Sequence, residues 1–228
     1  MNSSELKGFL TGLMFGDGYI DSGVTKRSFR IKSINKDFID YIYNELASCT
    51  NFDLKINFTP EHFSNGCNHK DCWELTIKSH PYFAKKYHHF YDDYKKRIIS
   101  NEALQWITPS GIANWYMSDG YVCLVGKERG DISGRRVEFC TDRYSYETVN
   151  KINKMLLNNF NIKNSIISRG KTYRIRVLTE SYSSFFNLIK PYIVNSMKYK
   201  MYLGYKKQPK WMDDDMWNEQ IILASATA

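Results

Sequence analysis

One motif occurs twice in this chain, about half a chain apart. Leu10–Gly18 reads LTGLMFGDG and runs into Tyr19-Ile20; Ile112–Gly120 reads IANWYMSDG and runs into Tyr121-Val122. Each copy is an apolar stretch of about two helical turns that ends in Asp-Gly-Tyr-aliphatic. Self-similarity on this scale points to two copies of one structural unit rather than one continuous fold. The 228 residues are enough for two small domains, each with a core of its own.

The order after each motif repeats as well. After the first come an alternating basic stretch, Arg27–Ser33, and a helical pattern over Lys36–Ala47 with apolar residues at 38, 39, 42, 43 and 46. Alternating runs at Leu54–Thr59 and Trp73–Lys78 follow, then a Pro-started helix from Pro81. After the second come a strand at Arg135–Thr141 and a helix at Tyr146–Phe160. Strands at Lys163–Ser168 and Thr172–Leu178 lead to a helix at Tyr182–Ile189, stopped by Pro191. Each half therefore reads helix, strands, helix, strand, strand, helix. The expected division is a first half over 1–98, a linker over 99–108, a second half over 109–207 and a C-terminal tail over 208–228. A late lysine also repeats: Lys96 in YKKRI follows Asp17 at nearly the distance at which Lys200 in MKYKM follows Asp119.

Gly8, Gly12 and Gly16 recur every four residues, which puts them on one helix face. Glycine inside a helix costs about 1 kcal/mol against alanine, so three of them need a packing reason. Close backbone contact with another helix supplies one. The matching positions of the second motif are Ser110, Asn114 and Ser118. If the two helices pack side by side and run the same way, Asp17 and Asp119 meet at their C-terminal ends. Two carboxylates there repel each other and the helix dipoles. A hard divalent cation reverses that balance, and such a site suits chemistry on a phosphate.

LTGLMFGDG resembles the nine-residue LAGLIDADG motif position by position, and IANWYMSDG is a looser second copy. With the matching half-domain order, the chain resembles a single-chain, two-motif LAGLIDADG homing endonuclease over residues 5–205. The resemblance implies an α/β (α+β type) fold: a pseudo-two-fold pair of αββαββα half-domains with saddle-shaped antiparallel sheets along the DNA major groove. It implies that Asp17 and Asp119 bind catalytic metal, with Gly16 and Ser118 contributing backbone, and that Lys96 and Lys200 point at the catalytic centre. It implies Mg²⁺ as cofactor, with Mn²⁺ able to substitute and Ca²⁺ supporting binding without efficient cleavage. The activity implied is double-strand cutting across the minor groove that leaves short 3′ overhangs. The partner implied is a DNA target read by a monomer. An intron RNA is the partner in the rival reading, an RNA maturase on the same scaffold. A non-cleaving DNA-binding regulator is a second rival. Both acidic residues are retained, which argues against a pure maturase. Asn114 and the bulky Trp115-Tyr116 depart from the small-residue pattern, so a less symmetric helix pair is expected.

The strand pattern supports a nucleic-acid partner independently. Phe29 and Ile31 alternate with Arg30 and Lys32; Leu54, Ile56 and Phe58 with Lys55, Asn57 and Thr59; Trp73, Leu75 and Ile77 with Glu74, Thr76 and Lys78. In the second half Val137 and Phe139 alternate with Arg136 and Glu138, and Tyr173, Ile175 and Val177 with Arg174 and Arg176. A sheet with one apolar and one basic, hydrogen-bonding face can contact phosphates and base edges. Arg135, Arg169 and Lys171 join this expected DNA face, and loop residues Lys26, Arg27, Lys127 and Arg129 are expected at phosphates. The net charge of +8 fits a polyanionic partner.

Aromatic residues make up 15% of the chain, which excludes disorder as its main state, and no apolar run approaches the roughly 20 residues of a membrane span. The N-terminus lacks the pattern of a signal peptide, so an intracellular, non-secreted protein is expected. Five scattered cysteines read as reduced thiols. His62, Cys67, His69 and Cys72 have irregular spacing for zinc, and a long hairpin loop over DNA is the favoured reading. The acidic, aromatic tail WMDDDMWNE reads as a cap on the body or a loose tail.

Overall fold

Burial and capping account for much of the fold. The computed structural model describes residues 1–22, 27–64, 66–125, 134–203, 205, 207–210 and 212–227. Lys26, Lys127 and Arg129, expected at phosphates, lie outside the described residues. Contacts divide the chain into two compact units: residues 1–118 with 194–196, and 119–193 with 197–228.

In the first unit α1 spans Ser3–Phe15. The Asn2 side chain accepts from the Ser4 and Glu5 amides, and Glu5 returns a bond to the Asn2 amide, a reciprocal cap. From Gly8 to Phe15 every residue is buried, so this helix is enclosed on all sides. Its neighbour is α5, Pro109–Asp119, buried from Gly111 to Met117. A Cβ on Gly8 would overlap Thr108 and the Trp106 carbonyl, one on Gly12 would overlap the Gly111 backbone, and one on Gly16 would overlap the Ser118 side chain. Residue numbers rise together on both sides, so the helices run the same way. The expected partners of the glycines were Ser110, Asn114 and Ser118. Ser118 takes that role; at the tightest point the place is taken by Gly111, because only a residue without Cβ lets two backbones touch. Asn114 is buried and donates from Nδ2 to the Phe9 carbonyl at 3.3 Å, tying the helices together. Phe15 and Trp115 meet edge to face at 5.5 Å.

The strands of this unit are β1 (Tyr19–Ile20), β2 (Arg27–Ser33), β3 (Leu54–Thr59), β4 (His62–Ser64), β5 (Cys67–His69) and β6 (Cys72–His80). They form an antiparallel sheet in the order β1-β2-β6-β3 and a separate β4-β5 ribbon. Helices α2 (Lys36–Cys49) and α3 (Pro81–Lys86) pack on the sheet. Asn35 caps α2 by accepting from the Phe38 amide, and its buried residues, Phe38, Ile39, Ile42 and Leu46, keep the helical spacing read from sequence. The expected linker, 99–108, contains a helix, α4 (Asn101–Trp106), capped by Ser100. Its Ala103 and Leu104 are buried, so it belongs to the body.

The second unit repeats the sheet order. Strands β7 (Gly120–Val125), β8 (Gly134–Phe139), β9 (Asn164–Arg169) and β10 (Thr172–Val177) lie as β7-β8-β10-β9, with α6 (Tyr146–Phe160) and α7 (Tyr182–Ile189) packed against them. Ser145 caps α6, and Asn161 ends it in the left-handed region at φ 54°. The tail carries α8 (Asp214–Thr227), which is docked: Gln220 accepts from the Leu203 amide at 2.6 Å and donates to the Met201 carbonyl at 3.0 Å. That favours the cap over the loose tail. All five cysteines are free thiols. Among the described residues no helix is long and apolar enough to cross a membrane.

The α1–α5 seam gives a prediction whose sign opposes helix propensity. Gly12→Ala gains about 1 kcal/mol of propensity but drives a methyl into the Gly111 backbone, where overpacking costs about 1–3 kcal/mol or more. Urea denaturation should show net destabilisation, and a stabilised variant would contradict the seam.

Candidate functional site

The two motif helices end alike. Gly16 and Ser118 face each other across the seam, and each is followed directly by an aspartate. Neither helix has a basic residue in its last turn, so the helix itself does not offset the negative end of its dipole. Asp17 is exposed beyond the end of α1; the Asp119 side chain, closing α5, is only 12% exposed.

Cations reach both helix ends from elsewhere in the chain. Arg143 approaches Asp119 Oδ2 at 3.4 Å. The three residues before it are anchored: the Cys140 amide donates to the Asp119 carbonyl, Thr141 Oγ1 donates to the Tyr173 carbonyl, and Asp142 pairs with Arg174. At α1, Arg97 donates from Nη1 to the Met14 carbonyl at 2.6 Å and from Nη2 to the Gly18 carbonyl. Carbonyls at a helix C-terminus are natural acceptors for an arginine. The sequence singles out Lys96, its neighbour. Lys96 sits exposed at the end of a turn in which Asp92 Oδ1 accepts from the Tyr94 and Lys96 amides and Lys95 takes φ 62°. Lys200, in the second unit, is half-buried near the end of a short 3-10 helix, Asn195–Met201. Arg97 and Arg143 escape a sequence reading because neither lies in a motif; only the folded chain brings them to the helix ends.

The hydrogen-bonding faces of the sheets can be read from their registers. In the first unit Tyr19, Arg30, Thr76 and Lys55 lie in one cross-strand row, and Lys32, Glu74 and Asn57 in the next. Phe29, Ile31, Leu75 and Ile77 are fully buried on the other face. Glu74 sits 3.1 Å from Lys32 and 3.9 Å from Arg30. Lys78 pairs with Asp53 at 2.7 Å. Lys55 and Thr59 are exposed. Phe58, expected on the apolar face, is largely exposed against Trp73 at 5.1 Å, because β3 is the sheet edge. Arg27 is drawn inward, donating to the Asp21 carbonyl and lying over the Tyr87 ring at 3.3 Å.

The segment expected as a long loop forms the β4-β5 ribbon. Its His62 and His69 are cross-strand partners with rings stacked at 4.9 Å. Beside it opens a groove of about 370 Å³ lined by Lys32, Thr59, Lys70 and the two histidines, among others. Among the described residues no three His, Cys, Asp or Glu side chains come together as a metal cluster.

The second sheet carries a denser network. Tyr121, Glu138, Arg176 and Ser165 form one row. Glu138 accepts from the Tyr121 hydroxyl at 2.5 Å, from Arg169 Nη2 at 3.1 Å and from Arg176 Nε and Nη2 at 3.1 and 3.0 Å. The alternation read from sequence places Glu138 on the open face; it is on that face, yet has 0% exposure because the arginines roof it over. Arg174 pairs with Asp142 at 2.8 Å and donates to the Tyr121 oxygen at 3.0 Å. Arg135 is held by the Leu203 carbonyl and the Tyr205 ring. Arg136 is half-buried, and Lys171 is exposed in the β9–β10 turn.

Residues 7–185 match the LAGLIDADG DNA endonuclease family, and the chain belongs to it. A probable intron-encoded endonuclease 1 of Wickerhamomyces canadensis is 28% identical over 201 residues, covering 84% of this chain and 81% of that protein. DNA endonuclease I-ChuI of Chlamydomonas applanata is 23% identical, covering 90% of this chain and 97% of its own. The cytochrome b mRNA maturase bI2 of Saccharomyces cerevisiae is 24% identical over 83% of this chain and 45% of its own. Among solved structures, the homing endonuclease I-WcaI bound to its DNA recognition sequence superposes with a TM-score of 0.75 at 24% identity, covering 89% of this chain and 88% of that one. I-DmoI in complex with DNA and Ca gives a TM-score of 0.51 at 16% identity, covering 83% and 91%. The mixed helix and antiparallel-sheet fold expected from the motifs is thus the fold of the two-domain LAGLIDADG enzymes.

The carboxylates of the second sheet give a pH prediction. Burial pushes the Glu138 carboxyl up, but bonds from Tyr121, Arg176 and Arg169 outweigh it and leave the group below its usual value. Asp142 is likewise lowered, its burial outweighed by Arg174 and Thr172. Burial first, and the bond to Glu138 second, push the Tyr121 phenol up, so it remains a donor. A carboxyl lowered in the folded state binds protons more readily when unfolded, so its stabilisation is present above the ordinary carboxylate range of about 4 and is lost as pH falls through the folded value. Urea midpoints should therefore drop as pH falls from about 5 to 3. Glu138→Gln should flatten that dependence and cost on the order of 1–3 kcal/mol at pH 7.

Proposed function

We propose that the protein is a site-specific double-strand DNA endonuclease that hydrolyses one phosphodiester in each strand with Mg²⁺ and leaves short 3′ overhangs. The observation that carries this reading is the seam: Gly16 and Ser118 meet side by side, and the next residue on each side is an aspartate. That convergence supports Asp17 and Asp119 acting as a pair.

The donor set fits a hard divalent cation. Carboxylate oxygens, with the backbone carbonyls of Gly16 and Ser118, are hard ligands, and magnesium is commonly held by one or two carboxylates with water and substrate phosphate filling the rest. A bound cation would neutralise the carboxylates, polarise the scissile phosphate and lower the pKa of water. Ca²⁺ is present in the I-DmoI complex with DNA, and here it is expected to support binding without efficient cutting.

The chain's own cations complete the centre. Arg143 holds the Asp119 carboxylate in place and adds positive charge where a phosphate would gain negative charge. Arg97 fixes the C-terminal turn of α1 from which Asp17 projects. Lys96 and Lys200 stabilise developing charge or assist the attacking water. The sheet faces bind the duplex: Arg30, Lys32, Lys55, Asn57, Thr59, Glu74, Thr76 and Lys78 in one unit, and Arg136, Arg169, Lys171, Arg174 and Arg176 in the other. Both copies reside in one chain, so a monomer reads the site.

A second reading, intron RNA maturation, is favoured by the bI2 maturases of two yeasts among the relatives. Both aspartates persist here, which supports cleavage as the primary activity. A splicing assay with candidate intron RNA tests that second activity.

The test of the main reading is selection of cut sites from a random duplex library with Mg²⁺, followed by mapping of the ends. On the selected site Asp17→Asn and Asp119→Asn should each lower double-strand cleavage by at least about 10³-fold, roughly 4 kcal/mol of transition-state stabilisation, while DNA binding persists. Cutting at the normal rate by either variant would remove the catalytic assignment. Lys96→Met and Lys200→Met should slow cutting more than they weaken binding; an equal fall in both would make them phosphate contacts only.

A further inference from the structure

The second sheet buries an acid on a face that should attract phosphates. Glu138 has 0% exposure, yet its cross-strand row, Tyr121–Glu138–Arg176–Ser165, belongs to the face opposite the Val137–Val177 core row. A lone carboxylate there would repel a polyanion and carry a large desolvation cost. It is tolerated because Tyr121, Arg169 and Arg176 all donate to it. Stability alone is a weak reason to keep such a group, since apolar residues often replace buried ion pairs without loss.

The network has geometric consequences. Arg176 spends Nε and Nη2 on Glu138 Oε1, and Arg169 spends Nη2 on Oε2. Nη1 of each has no bonding partner among the described residues, and the side chains are 27% and 41% exposed. The Arg176 guanidinium is thus held along its Nε–Nη2 edge and that of Arg169 through Nη2 alone, and each keeps Nη1 open. Arg174 differs: Asp142 takes its Nε and Nη2, and Tyr121 takes its Nη1, so it braces the network. In the first unit Glu74 has Lys32 as its nearer partner, at 3.1 Å, and a lysine cannot present a planar fork.

We infer that Glu138 is a positioning residue that pre-orients Arg169 and Arg176 to read guanines by bidentate bonds in the half-site facing the second sheet. The inference rests on the DNA-cleavage reading above. A free arginine gives up about 2 kcal/mol of rotamer freedom when it is fixed; here the fixing is done before DNA arrives. The open edge of a guanidinium matches the O6 and N7 acceptors of guanine in the major groove. The first sheet, with Lys32 in that place, contributes phosphate attraction more than base choice.

The test uses the full chain and random-sequence duplexes selected by binding in Ca²⁺, followed by single-base-pair changes across the enriched site. The wild type should require guanine at one or more positions of one half-site. Arg169→Lys and Arg176→Lys, which keep the charge, should each lose about tenfold or more of discrimination at one base pair, with the salt dependence of binding unchanged. Glu138→Gln should loosen both positions together. Tyr121→Phe, which removes one donor and keeps the carboxylate, should do so to a smaller extent, and it decides the positioning role if Glu138→Gln does not fold. Lysine variants that weaken all sequences equally would make the arginines phosphate contacts and overturn the inference. So would a folded Glu138→Gln with wild-type discrimination. A wild type that enriches no sequence would overturn the nuclease reading as well, whereas enrichment unchanged in every variant overturns this inference alone.

Discussion

The close approach of two helix backbones is the constraint on which the rest of the structure depends. Gly12 against Gly111 leaves no room for a side chain on either partner, and Gly8 and Gly16 extend the seam in both directions. The glycines are unfavourable for an isolated helix. They are tolerated because the tertiary contact they permit fixes how far each helix has advanced where it stops. The aspartates inherit their placement from that register.

That placement is electrostatically costly. Each aspartate stands at the negative end of a helix, and the cations that answer them arrive on loops: Arg143 beside Asp119, and Arg97 on the carbonyls below Asp17. The two solutions differ. One arginine faces a carboxylate and the other braces backbone.

Much of this was legible in the sequence. Strict alternation gave β2 and β3 their observed limits, and the 3.6-residue spacing gave α6 and α7 theirs, because amphipathic burial and local caps determined those elements. The family was legible because the motif is short, contiguous and doubled. What escaped depended on packing between distant segments. Gly111 rather than Asn114 lies directly against Gly12, since helix rotation is a tertiary property. The linker hides α4, a helix too short to show a period. Arg97, next to Lys96, reaches the motif because a turn with Lys95 at positive φ redirects the chain. Glu138 reads as an ordinary outward residue of a strand; only the arginines folded over it show that it is enclosed.

The glycine seam also bears on how such a molecule could be recombined. Chimeras that graft the first motif helix of one relative onto the second of another would have to match the spots where side chains vanish, residue for residue. Two sheets that select different sequences could be exchanged freely only between parents sharing that pattern of gaps. Compatibility between parental halves would then be set by a few atoms of missing carbon.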